Sequence, residues 1–248
     1  MGLFDFFKGG SGKGEDGKKK SSASRWAEAA GSKRAQPYDR QEAITELGKL
    51  GTPEAVEALL KRFTFGTDPS ITDQEEKEGA YEGILKAGKE GLEPVRAFAA
   101  KAESLSWPLR ILKATLDEEE LVDELLAWLS KWDTEYAKFV DPKLQLLEEL
   151  AEHKNDKIRE AVEPFLQDVN DPARFNAVAA TLKQNDEASI GPLLDLLVDE
   201  ESTRIRTKIA DGFAALGWTV PEDRRDAVRK VLPPSFGIDG AGVLVKRG

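Results

Sequence analysis

Residues 186–218, DEASIGPLLDLLVDEESTRIRTKIADGFAALGW, read as one helix, a tight turn and a second helix. In the first half Ile190, Leu193, Leu194 and Leu197 fall at i, i+3, i+4 and i+7. In the second Ile205, Ile209, Phe213 and Leu216 fall at i, i+4, i+8 and i+11. Each set is a one-sided apolar stripe at helical period. Neither helix can bury its stripe alone, so the pair needs similar pairs on either side.

The rest of the chain supplies them. The slot Ser189-Ile190-Gly191-Pro192-Leu193-Leu194 recurs as Ala161-Val162-Glu163-Pro164-Phe165-Leu166 and as Gly91-Leu92-Glu93-Pro94-Val95-Arg96. It recurs without proline as Ala55-Val56-Glu57-Ala58-Leu59-Leu60, and more weakly at 121–126 and 227–232. The copies are spaced by 28 to 40 residues, the length of a two-helix unit. A proline this early in a helix removes a backbone donor that the first turn leaves unpaired anyway. Partner helices are expected to start near Asp39, Asp73, Ser106, Asp141, Asp171 and Ser202, small polar residues suited to capping free N–H groups. Asp141-Pro142 and Asp171-Pro172 are the clearest starts, a cap followed by proline at the first helical position.

This pattern resembles the HEAT-repeat family, in particular its short bacterial HEAT-like type. The likeness rests on the Ala-Val-Glu-Pro-Leu-Leu-like slots and on the Asp-Pro-x-Arg start at Asp171 to Arg174, and it covers residues 37–234. It implies an α-solenoid, a curved stack whose second helices line a concave binding face. The expected architecture is therefore all-α, with about six HEAT-like helix pairs over residues 37–234. A flexible tail (1–36) precedes them and a short cap (235–248) follows, in which Ile238 and Val243-Leu244-Val245 suggest a small hairpin.

Composition fits this expectation. Of the 248 residues, 40% are hydrophobic and 33% charged, enough for a continuous core with a wet side on every helix. There is no cysteine, which excludes disulfides and thiolate metal sites and points to a reducing, cytoplasmic setting. No run approaches the roughly 18 apolar residues of a membrane span. The amino-terminal end does not read as a secretory signal.

Residues 1–36 differ from all that follows. They carry eight Lys/Arg against four Asp/Glu, whereas the whole chain has a net charge of −10. Leu3, Phe4, Phe6 and Phe7 crowd one end, a glycine-rich stretch follows, and Lys18, Lys19 and Lys20 close a basic run. An aromatic end plus a polybasic run suits contact with an anionic membrane at its inner face. A docking peptide on a tether, or a leader with no dedicated partner, are the other readings. Phe6 stands where myristoylation of Gly2 would want Ser or Thr. The glycines at 9–14 lack phosphate-loop spacing, since Phe7 and Gly14 occupy two of its required positions.

Within the repeats, three residues are candidate partner contacts: Phe65 in the long 63–72 connection, and Trp132 and Tyr136 in the 130–140 insertion. The carboxylates of Asp117, Glu118, Glu119, Glu120, Asp123 and Glu124 crowd one helix start, where the helix dipole favours them. An acidic patch for a basic partner is the competing reading. Trp107 and Trp128 read as core. The single histidine, His153, has no second imidazole or thiol nearby in sequence, so no catalytic or metal site is expected. Arg174, Arg204 and Arg206 read as arginines that bridge to acidic residues of the neighbouring pair.

Other HEAT-like proteins resemble iron-dependent hydroxylases, chromophore lyases or DNA glycosylases. One histidine cannot build the multi-histidine centre of the first. Residues 37–248 carry −14, which opposes the phosphate neutralisation the last depends on, despite the basic residues Arg224, Arg225, Arg229 and Lys230. The expected function is a non-enzymatic protein–protein interaction scaffold or adaptor, with no catalytic residue, cofactor or metal. A lyase-like or chaperone-like helper for a cofactor-bearing protein is the alternative.

Overall fold

The computed structural model describes residues 22–247. Among them are thirteen α-helices, short 3-10 turns and one two-stranded antiparallel sheet. Twelve of the helices form six consecutive pairs. The first members are α2 (Pro37–Leu50), α4 (Ser70–Leu85), α6 (Ser106–Thr115), α8 (Asp141–Leu150), α10 (Asp171–Gln184) and α12 (Thr203–Leu216). The second members are α3 (Pro53–Leu60), α5 (Leu92–Ala99), α7 (Glu118–Leu129), α9 (Asp156–Val162), α11 (Ile190–Asp199) and α13 (Arg225–Val231). Five of the six repeated slots fall on second members to within one residue; the sixth, 161–166, starts at the end of α9 and runs through the 3-10 turn Glu163–Gln167, so Pro164 follows that helix instead of opening it.

Packing links most of these helices to the one two places along. Among first members α2 meets α4, α4 meets α6, α8 meets α10 and α10 meets α12; among second members α3 meets α5, α7 meets α9 and α11 meets α13. The 186–218 stretch folds as its stripes require. Leu193, Leu194, Leu197, Ile205, Ile209 and Phe213 are all fully buried. Burying each such side chain contributes about 1.5–3 kcal/mol, far more than the propensity of helices this short.

Helix ends follow local chemistry, with small departures from expectation. Thr52 caps α3 by accepting from the Ala55 N–H, with Pro53 in the first turn. Asp117 and Glu120 form a reciprocal capping box on α7. At α10 the cap is Asn170, which accepts from Ala173, so Asp171 already lies inside the helix. Asp141 is likewise the first residue of α8, and Ser202 makes no side-chain cap; Glu200 accepts from the Ser202 N–H instead. α2 ends on Gly51 at φ 60°, a left-handed conformation that glycine adopts without strain. α2 and α4 approach so closely that a Cβ on Gly83 would lie 3.1 Å from the Gly48 Cα.

The amino-terminal boundary needs correction. Residues 1–36 read as one flexible tail, yet Ser22–Ala30 form α1, which packs on α2 and α3. Ala30 is completely buried, and Trp26, Ala27 and Ala29 pack against the core. The Ser/Ala-rich composition conceals this short apolar face. At the other end the suspected hairpin is present as β1 (Phe236–Ile238) and β2 (Leu244–Lys246), with Phe236 and Leu244 buried against α12 and α13.

Charged side chains also enter the interior. Glu76 on α4 is 1% exposed and lies between Arg40 of α2 and Arg62, which are 2% and 0% exposed. Its Oε2 accepts from Arg40 Nε at 2.8 Å and from Arg62 Nε at 2.7 Å, and its Oε1 accepts from Arg40 Nη2 at 3.0 Å. Arg62 also donates to the Phe65 carbonyl at 3.0 Å and to Asp73 Oδ1 at 2.7 Å, so one guanidinium ties the start of the 65–69 connection to the first turn of α4. Removing one member of such a cluster strands the remaining charges away from water. Glu76→Ala is therefore expected to cost about 3–5 kcal/mol in urea unfolding. A variant as stable as the parent would show that the cluster does not hold the first two pairs together.

Candidate functional site

The C-terminal parts of α3, α5 and α7 line a groove with two hollows of about 1040 Å³ and 440 Å³ that share Lys101, Ala102 and Glu103. The larger is walled by Leu60, Phe63, Phe98 and Trp107. The smaller is walled by Trp128, Trp132, Phe139, Leu105 and small alanines. Arg96, Lys101, Lys131 and Lys138 rim the smaller hollow against a single carboxylate, Glu103. This is a basic rim on a chain whose net charge is −10.

The walls are held from behind. Phe63 stacks on Trp107 with ring centroids 4.6 Å apart and planes 7° from parallel. Arg110 lies over Trp107 and Tyr81, at 4.8 Å and 4.2 Å from their ring centres. Phe63 therefore reaches forward to α6. In the smaller hollow, Trp128 donates its indole N–H to Glu124 Oε1 at 2.6 Å, and the Arg96 guanidinium grips both oxygens of that carboxylate. Burial pushes the Glu124 carboxyl up, but Arg96 and the indole N–H outweigh it and hold the group below its ordinary value.

The 130–140 insertion forms the outer lip. Lys143, buried at the start of α8, donates to Asp168 Oδ2 at 2.6 Å and to the carbonyls of Asp133 and Glu135 at 3.1 Å and 3.4 Å. Val169 donates to the Thr134 carbonyl at 3.0 Å. The insertion is thus pinned by its main chain, which leaves its side chains free to face outward.

Of the three expected contacts, the groove gathers one. Trp132 is half-buried and lines the smaller hollow. Tyr136 is 84% exposed and lines neither hollow. Phe65 is half-buried with the Arg62 guanidinium 4.5 Å from its ring centre, and it also lies off the groove. Leu3, Phe4, Phe6, Phe7, Lys18, Lys19 and Lys20 lie outside the described residues. Sequence reasoning missed Phe98, Lys101, Lys131 and Lys138, because nothing in their local spacing distinguishes them from a helix end.

The acidic start of α7 is largely answered within the chain. Glu120 pairs with Lys89, Asp123 with Lys157 at 2.7 Å, Glu124 with Arg96, and Glu118 with His153 Nδ1 at 2.7 Å, while Asp117 caps the helix. That leaves little of an acidic patch for a partner. Arg174 makes the expected bridge, a two-pronged pair with Glu200 at 2.7 Å and 3.0 Å. Arg204 instead stacks on Phe175 at 3.7 Å. Arg224 pairs with Asp195, Arg229 with Asp226, and Arg225 holds the Val220 and Ala241 carbonyls. The basic run near the end of the chain is therefore mostly engaged.

No protein-family model matches the chain, and no curated protein does. Among the described residues, no group of three or more His, Asp or Glu side chains is placed to hold a metal ion. None of the described helices is long and apolar enough to cross a membrane.

The Glu124 contacts set a pH dependence with a definite sign. A carboxyl held below its ordinary value of 4.5 contributes stability that is fully present above that value. The contribution is lost as pH falls through the lower folded value. Tryptophan emission is thus expected to stay constant on acidification until below 4.5 and then to shift as Trp128 loses its acceptor. Glu124→Gln should shrink that acid-induced shift; an unchanged shift would place its origin elsewhere.

Proposed function

We propose that the protein is a non-enzymatic interaction module, a HEAT-like α-solenoid that holds a polypeptide partner in the groove along α3, α5 and α7. The observation that carries this reading is the groove itself: aromatic and alanine walls for bulky apolar side chains, with Lys101 and Lys131 at the rim. Such a surface gives affinity through buried apolar anchors and selects partners by charge. The contact of most helices with the one two places along supports the solenoid reading, because stacked pairs keep such a surface rigid. The half-buried Trp132 is the natural anchor, since aromatic side chains dominate binding energy at comparable surfaces.

A partner of this kind is acidic or neutral with exposed aromatic or aliphatic residues. Capture of the partner by the full-length protein from its own cells is the test. The double variant Trp132→Ala, Lys131→Glu should weaken capture about tenfold or more while leaving the helical circular dichroism unchanged. Tyr38→Ala, at an exposed position on α2 away from the groove, should leave capture as it was. Equal capture by the groove variant, or turnover of a small substrate by the purified chain, would overturn the proposal.

A further inference from the structure

We propose that the groove takes an extended acidic peptide that seats one bulky apolar side chain in each hollow, three residues apart, and lays carboxylates over Lys101 and Lys131. This rests on the reading of the groove as the binding surface and names the chemistry and spacing of its occupant. Charge and distance carry it.

Of the cations around the smaller hollow, Arg96 already holds Glu93 and Glu124, each at 2.6 Å. Lys101, Lys131 and Lys138 are exposed and form no ion pair among the described residues; Lys131 acts on Glu124 only through space, and Lys138 Nζ lies 4.9 Å from the Phe139 ring centre. A helix C-terminus favours a cation, which accounts for lysines just past α5 and α7. It supplies no countercharge, whereas other lysines nearby have one: Lys89 pairs with Glu120, and Lys113 with Glu149 at 2.9 Å. Ammonium groups gathered around Trp128, Trp132 and Phe139 are a local exception on a chain of net charge −10, and they suit an acidic guest. The larger hollow has no such excess, since Glu57, Glu93 and Glu103 face Lys61 and Lys101 there. The guest's carboxylates therefore belong between the hollows and beyond the smaller one.

Distance sets the spacing. The hollows share Lys101, Ala102 and Glu103, so they lie on either side of the turn that leaves α5. α3 packs on α5, and Arg96 ties α5 to α7. Helices packed side by side lie about 8–10 Å apart, which is the step from one hollow to the next. A polyproline-type chain rises about 3.1 Å per residue with three residues per turn, so side chains at i and i+3 share a face about 9.3 Å apart. A β-strand puts same-face side chains about 7 or 13 Å apart, and a helix covers the step only after about seven residues. The walls also offer the guest's main chain little to pair with, since Trp128 has given its indole N–H to Glu124. A polyproline-type chain needs no such partner, because its backbone stays in water.

The test is calorimetric titration of the full-length protein with acetyl-Phe-Ala-Glu-Phe-Glu-Glu-amide, made in both chain directions, the tighter one counted. The isomer Phe-Ala-Phe-Glu-Glu-Glu keeps the composition but moves one anchor off its hollow, and is expected to bind about fivefold or more weakly. The lysine analogue Phe-Ala-Lys-Phe-Lys-Lys should also bind about fivefold or more weakly, the order expected from two exposed ion pairs. Lys101→Glu, at an exposed position that is not among the charges acting on Glu124, should weaken the acidic peptide about two- to fivefold and tighten the lysine analogue. A change in folding alone would not move the two peptides in opposite directions. Equal binding of the acidic peptide and its isomer, equal binding of the acidic and lysine peptides, or no binding of any would overturn the proposal. So would decanoate, a small amphiphile of like charge, binding more tightly than the peptide. If one of these results is found while the double variant Trp132→Ala, Lys131→Glu still loses its captured partner, the interaction module stands and the acidic three-residue spacing does not.

Discussion

An isolated helix of seven to sixteen residues is marginal in water, because the nucleus is costly and few hydrogen bonds follow it. Every described helix is of that kind, so each depends on having its apolar stripe covered. Most contacts answer that need in one way: first members lie along first members and second members along second members, as in α2 with α4, α8 with α10 and α3 with α5. Stability is therefore spread over many modest interfaces. The closest of these, between α2 and α4, uses Gly48 and Gly83 to bring two backbones together where larger residues would hold them apart.

Charge adds a second layer of order. On the outside, pairs such as Arg110–Glu78, Lys113–Glu149, Arg96–Glu124 and Arg159–Asp186 tie successive helix pairs across the solvent boundary. Each contributes little alone. Their combined effect is on register, since a helix shifted by one turn would lose its partner. Inside, Arg40–Glu76–Arg62 and Lys143–Asp168 are of a different kind. Desolvating them is costly unless every polar atom is met, and each organises an irregular connection around itself: 65–69 in one case, 133–135 in the other.

Much of the helical framework was legible because it rests on short-range patterns. The slot around Pro192 announces a second helix, and the stripes of residues 186–218 bury most of the side chains they mark, Ile190 and Leu216 only in part. What was not legible is long-range. Nothing local marks Arg40, Arg62 and Glu76 as three charges from separate segments that converge inside. Lys101 and Lys131 look like ordinary helix-end cations until Trp128 and Trp132 are seen beside them. Trp26 and Ala30 were hidden by the low-complexity composition around them, so α1 was assigned to the tail. The acidic start of α7 read as a candidate patch; its basic partners Lys89, Arg96, His153 and Lys157 lie about thirty residues away in sequence.

The two termini of the described fold are finished differently. α1 lies over α2 and α3, and the hairpin lies over α12 and α13, anchored by the Thr219–Val243 bridge and the Lys246–Asp211 pair. With a helix laid on the one and two strands on the other, the first and last described pairs present unlike surfaces, so neither offers a second molecule the face that a like neighbour meets within the chain.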